Sequence, residues 1–157
     1  MIRFALVLFA GMAFAQTNDI GVARQAMQEA EATYGSQHPA TAMMIRNFAL
    51  ALAEAGYNNQ AEHYARQSLE ILEARFGAKD VSLVPVLNVL TETYAAEGRY
   101  TEAARTGLRA VAIGPDAGPH YAVALHNVAA VLEHQGKRKD ASVYYARSLV
   151  ARGAGPH

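Results

Sequence analysis

The residues of this chain that could do chemistry are its histidines and carboxylates, because it contains no cysteine. That absence excludes disulfides, thiol nucleophiles, Cys-ligated zinc and iron–sulfur clusters. His126 and His134 are eight residues apart, about 80° around a helix, and only Glu133 adds a carboxylate at a ligand spacing. This geometry does not suit one shared ion. The sequence therefore predicts no metal and no other cofactor.

The chain also lacks the sequence motifs of an enzyme. It has no Gly-rich phosphate loop, no nucleophile elbow and no paired carboxylates at a catalytic spacing. Glu54 and Glu92 have no evident catalytic partner in the sequence. We therefore predict that the protein is not an enzyme.

Composition indicates a folded chain without the charge that a polyanion attracts. The 157 residues are 52% hydrophobic and 18% charged, which is typical of one globular domain and not of a disordered segment. Basic and acidic side chains number 14 each. Because the charges cancel, nucleic acid is not a predicted partner.

The N-terminal residues have the order of a secretory signal peptide. Arg3 is followed by an apolar segment at residues 4–12 and by the small residues Ala13 and Ala15. An uncleaved anchor and a buried helix are the alternatives, but the segment is shorter than the roughly 20 residues that span a bilayer. It also lacks the two-faced pattern of the later helices. We predict a signal peptide at residues 1–15, a short leader at 16–18, and an exported protein, periplasmic or secreted, without membrane association after cleavage.

An internal repeat runs through the remaining chain. Gly56, Gly98 and Gly136 are separated by 42 and 38 residues, and apolar-periodic segments lie on both sides of each. At these lags, four residues with the spacing of one helical stripe recur before each glycine. They are Ile45, Phe48, Ala49 and Leu52; Leu87, Leu90, Thr91 and Tyr94; and Leu125, Val128, Ala129 and Leu132. Each stripe is followed nine residues later by an alanine, at positions 61, 103 and 141. Small residues at a fixed place let the second helix approach its partner closely.

The pattern predicts a helical domain at residues 19–152 and a flexible tail at 153–157. A lag of 42 also matches residues 24–35 to residues 66–77. The first predicted helix therefore corresponds to the second helix of a hairpin, and the first helix of that hairpin is missing from the pattern. Seven helices are predicted, at Asp19–Tyr34, Ala40–Ala55, Asn59–Phe76, Val81–Glu97, Thr101–Ile113, Pro119–Gln135 and Lys139–Ala151.

This order of large and small residues resembles the tetratricopeptide repeat. The link that ends in His38-Pro39, with Asn47 early in the next helix, is similar to the kinesin-light-chain-like subfamily. The resemblance covers nearly all of residues 19–152, although Gly107 stands where the family has a bulky residue. It implies an all-α, right-handed superhelical solenoid of antiparallel hairpins, with about three repeats and a leading half-repeat.

In such a solenoid the first helix of each hairpin lines a concave groove. The residues beside the core stripe are predicted to face it, and six carry polar groups: Arg46, Asn47, Asn88, Glu92, His126 and Asn127. The resemblance implies that the asparagines at positions 47 and 127 bind the backbone of an extended peptide, and Arg46 could bind a carboxylate. The alternative is that these side chains are only the solvated face of amphipathic helices.

The predicted function is therefore a non-enzymatic scaffold that binds a peptide or another protein. The alternative is a structural or homo-oligomerising module that uses its last helix, which no later helix covers. That helix carries Val143, Tyr144, Tyr145, Leu149 and Val150.

Overall fold

A computed structural model describes residues 19–153 of the chain. The predicted signal peptide, the leader at 16–18 and residues 154–157 of the predicted tail lie outside the described residues. Residues 19–153 form seven α-helices and no β-strand. The helices are α1 (residues 19–34), α2 (Pro39–Glu54), α3 (Asn58–Phe76), α4 (Val84–Ala96), α5 (Tyr100–Ile113), α6 (Pro119–His134) and α7 (Arg138–Ala151), with 3₁₀ turns at Val81–Leu83 and Pro115–Ala117.

The three turn glycines close the hairpins in the same way. Gly56, Gly98 and Gly136 have φ values of 84°, 73° and 75°, a left-handed conformation that only glycine adopts without strain. The amide after each glycine donates to a carbonyl five residues earlier, which is the Schellman helix ending. These bonds are Tyr57 N to Leu52 O at 2.8 Å, Arg99 N to Tyr94 O at 2.9 Å, and Lys137 N to Leu132 O at 2.9 Å.

The predicted register of the repeat is confirmed by burial. All twelve residues of the aligned stripes are buried, and the alanines at positions 61, 103 and 141 are at most 2% exposed. Ser68 and Ser148 take equivalent places in α3 and α7, and each donates its hydroxyl to an equivalent carbonyl, of Ala42 at 2.7 Å and of Ala122 at 2.8 Å. The second helix of these hairpins is therefore tied to the first by the same contact.

The hairpins stack into a solenoid. The pairs α2–α3, α4–α5 and α6–α7 pack in chain order, and the first helices form an inner layer because α4 contacts both α2 and α6. Helix boundaries lie within one residue of those predicted, except that the first predicted turn of α4 is a 3₁₀ turn, where Asp80 accepts from the amide of Ser82 at 2.9 Å.

Within residues 19–153, none of the helices combines the length and the apolar character needed to cross a membrane.

Gly107 lies where two hairpins meet. A Cβ atom at this position would be 2.9 Å from Cγ2 of Val128 and 3.2 Å from Cγ2 of Thr91. Val128 on α6 and Thr91 on α4 thus occupy the space of the missing side chain. A bulky side chain here would clash with Val128 and Thr91 unless α6 or α4 moved away from α5.

Candidate functional site

Two predicted site residues of α2 bond to each other. Arg46 donates to the side-chain oxygen of Asn47 through Nε at 3.2 Å and through Nη2 at 2.7 Å. The bonds use the acceptor of the Asn47 amide. Its NH₂ group, which is a donor only, has no acceptor within residues 19–153 and remains available to a ligand.

A second pair bridges α4 and α6. The side-chain nitrogen of Asn127 donates to Oε1 of Glu92 at 2.8 Å. Here the donor of the amide is used, and the carbonyl oxygen of Asn127 remains as an acceptor. Asn47 therefore offers a ligand its NH₂ donor, and Asn127 offers a ligand its carbonyl acceptor.

The prediction that Asn88 faces an open groove needs correction, because the residue is buried, with 5% of its surface exposed. Its side-chain nitrogen donates to the backbone carbonyl of His120 at 3.0 Å, and its buried side-chain oxygen has no partner within the described residues. The neighbouring Val89 is 4% exposed. The physical reason is that α6 packs on α4, so the first helices bury residues on each other as well as within their own hairpins.

His126 is turned toward α7. Its ring meets the ring of Tyr145 at a centroid distance of 5.3 Å and an angle of 62°, and the Tyr145 hydroxyl donates to Oε2 of Glu133 at 3.0 Å. Partial burial and this carboxylate raise the pKa of Tyr145. The structure thus places His126 with a cluster at the end of the last hairpin, separate from the two asparagine pairs.

His120 belongs to the site, although the sequence did not single it out. Partial burial, and then the positive charge of Arg46, lower the pKa of His120. The backbone carbonyl of His120 also accepts from the buried side chain of Asn88 on α4 at 3.0 Å. His120 precedes Asn127 by seven residues, about two helical turns, so it shares one helix face with Asn127. That spacing is the signal that could have found it.

The charges of this face are not neutralised by ion pairs. Within residues 19–153, every ion pair joins Arg66, Arg99 or Arg109 to a glutamate, and none includes Arg46 or Glu92. Burial lowers the pKa of Arg46, but a guanidinium stays charged at neutral pH. The inner layer therefore presents one cation on α2 and one carboxylate on α4.

No group of three or more His, Asp or Glu side chains that could hold a metal occurs among residues 19–153. What the arrangement offers is hydrogen bonding: a donor at Asn47, an acceptor at Asn127, and charges at Arg46 and Glu92.

Comparisons with known proteins agree with this architecture. A sequence model described as tetratricopeptide repeat matches residues 41–81, and no curated protein sequence matches the chain. The crystal structure of BtubC (BKLC) from P. vanneervenii is similar, with a TM-score of 0.77 and 19% sequence identity over 91% of this chain and 59% of that one. The chain thus spans about three fifths of the BtubC chain. Residues 41–81 are thus similar to a tetratricopeptide repeat, and the described residues form an all-α solenoid of stacked hairpins.

Proposed function

We propose that the protein is an exported, non-enzymatic scaffold of the kinesin-light-chain-like type. In this proposal an extended segment of another protein binds across α2, α4 and α6. The observation that carries the proposal is the complementary state of Asn47 and Asn127, one offering a donor and the other an acceptor. An extended backbone presents both C=O and N–H groups, so it can satisfy the two asparagines at once.

The charges define the chemistry of the partner. Arg46 favours a carboxylate, either an acidic side chain or a C-terminus, and Glu92 favours a basic side chain. With one cation on this face, affinity for uniformly acidic peptides should be modest. A segment that carries both signs of charge is the preferred ligand.

Site-specific photo-crosslinking tests this proposal directly. A crosslinking amino acid replaces Met43, which lies on α2 three residues before Arg46, and in a control it replaces Phe76 at the end of α3. Both side chains are 47% exposed, so they sample solvent equally. We expect one partner to be captured, in the native exported fraction, from position 43 and not from position 76. Capture of the same partner from position 76 alone would contradict the proposal.

A further inference from the structure

A second interaction surface runs along α7, which borders it on one side, while α5, the α5–α6 link and α6 provide the other side. Two surface pockets follow one another there. One, of about 370 Å³, is lined by Leu108, Leu132, Lys137, Asp140, Val143 and Tyr144. The other, of about 520 Å³, is lined by Pro115, Gly118, Tyr121, Leu125, Ala146, Arg147, Val150 and Ala151. We name these two pockets together the α5–α7 groove.

The preceding hairpins provide an internal comparison. The corresponding surface between α3 and α5 includes five charged residues, Arg66, Glu70, Glu73, Arg105 and Arg109, and an ion pair between Arg109 and Glu73 bridges it. At the repeat lags of 42 and 38, their equivalents are Leu108, Ala112, Pro115, Val143 and Arg147. Four of the five charged positions have become apolar. The α5–α7 groove is therefore not a general feature of the repeat.

The apolar side chains of this groove are open to solvent. Leu108 is 43% exposed, Val143 56% and Val150 63%. Single exposed apolar residues are normal, but a contiguous apolar surface marks a place where another molecule binds. Within residues 19–153 nothing covers it.

The charged residues that line the groove carry an excess of positive charge. Lys137 and Arg147 are cations, and Asp140 is the one carboxylate. Neither cation pairs with a carboxylate among the described residues. Arg147 instead donates to the Tyr121 hydroxyl at 3.0 Å and lies 5.1 Å from the centroid of the Tyr144 ring. The groove thus combines an apolar floor with an unneutralised positive rim.

The spacing of the two pockets matches a helix. Their α7 residues lie at positions 137–144 and 146–151, about seven residues or roughly 10 Å apart along the helix. Two apolar side chains at i and i+7 of a docked helix have the same separation. We propose that the α5–α7 groove binds an amphipathic helix of a partner protein, with apolar residues at this spacing and acidic residues on its flanks.

The charge argues against a second copy of this chain using the same surface. Symmetric pairing would place two basic rims against each other, and like charges in contact weaken association. An acidic partner helix gains from the same rim. We therefore expect the helix that binds the α5–α7 groove and the extended segment that binds across α2, α4 and α6 to be different molecules or different segments of one molecule.

Fluorescence anisotropy with synthetic peptides tests the proposal. The probe is a helical peptide of about 16 residues with leucines at i, i+4 and i+7 and glutamates on its flanks; a matched peptide has lysines instead. We expect the glutamate peptide to bind, and Val143→Asn or Val150→Asn to weaken binding by roughly ten-fold, because each loses apolar burial. The lysine peptide should bind more weakly, with a difference that shrinks as salt is added.

Leu149→Asn is the control variant. Leu149 is 54% exposed on the same helix but lines neither pocket, so its variant should change the affinity by less than about two-fold. Circular dichroism checks that each variant is folded.

Equal binding of the two peptides, or unchanged affinity in Val143→Asn, would overturn the proposal. So would self-association, measured by sedimentation, that Val143→Asn abolishes. The Asn47→Ala/Asn127→Ala variant should bind the probe normally, so this result is independent of the concave groove.

Discussion

Asn47 and Asn127 occupy equivalent places, nine residues before Gly56 and Gly136. Repeat alignment predicts that they are interchangeable, but their neighbours differ. Arg46 occupies the oxygen of one amide and Glu92 the nitrogen of the other. Spacing therefore predicts where an amide lies. It does not predict which half stays available, because that depends on which neighbouring side chain bonds the amide: the adjacent Arg46 for Asn47, and Glu92, 35 residues earlier in the chain, for Asn127.

Protonation of His120 should couple to binding at Arg46. Partial burial and the charge of Arg46 lower its pKa in the free protein, so a carboxylate bound beside Arg46 should raise that pKa again. Binding then takes up a proton, and affinity should increase as pH falls below about 6.5. Calorimetric titration of the crosslinked partner segment at pH 7.5 and 5.5 measures this effect.

His120→Gln is the matched control, because it keeps a polar side chain that does not titrate in this range. The pH dependence should disappear in that variant. An affinity that falls as the pH is lowered, or a dependence that survives the substitution, would show that no carboxylate binds beside Arg46.

At the scale of helices, hydropathy period predicted nearly all of the fold. Apolar residues that recur every three or four positions identify the stripe that each helix buries within its own hairpin, and the spacing of the glycines identifies the turns. The burial of Asn88 and Val89 was missed for a physical reason. Helix α4 packs on α2 and α6 as well as on α5, and a single period does not show how many neighbours a helix has.

The junction of α4, α5 and α6 gives a stability prediction. Gly107→Ala would place its Cβ 2.9 Å from Val128, and overpacking of this kind costs about 1–3 kcal/mol. Alanine also gains helix propensity of about 1 kcal/mol over glycine. The cost of overpacking should exceed the gain in helix propensity. We expect the free energy of unfolding to fall by about 1 kcal/mol, measured by urea denaturation.

Gly21→Ala separates the two effects. Gly21 lies in α1, and apart from the backbone of its own helix no atom of residues 19–153 lies within 4 Å of the place that a Cβ atom would take there, so this variant should stabilise the protein by roughly 0.5–1 kcal/mol. Val128→Ala should relieve the clash of Gly107→Ala, so that the two substitutions are less than additive. A stabilising Gly107→Ala would mean that the packing at this junction is loose.

At the scale of the whole molecule, the chain has two chemically different surfaces. The inner layer is polar and offers hydrogen bonds, whereas the α5–α7 groove is apolar with a basic rim. Sequence analysis predicted the first from the residues beside the core stripe. It placed Val143 and Val150 in an uncovered last helix, but it did not show that residues of α5, α6 and the α5–α6 link form a groove with that helix.

Export is a prediction that belongs to this scale. If residues 1–15 act as a signal peptide, the mature protein begins at Gln16, because small residues at positions 13 and 15 precede that bond. N-terminal sequencing of protein from the periplasmic and extracellular fractions measures this directly. Full-length protein that begins at Met1 and stays in the cytoplasm would contradict the export proposal without affecting the binding surfaces.

The most direct test of the central claim is the affinity of the partner segment for the Asn47→Ala/Asn127→Ala double variant, measured by calorimetry. Asn59→Ala is the control, since Asn59 is an exposed asparagine on α3. Each groove substitution should weaken binding by about 1–3 kcal/mol, because a backbone group of the ligand loses its partner. Folding should change by less than about 0.5 kcal/mol. Wild-type affinity in the double variant, with binding lost in Tyr144→Ala instead, would contradict the concave groove as the peptide-binding surface.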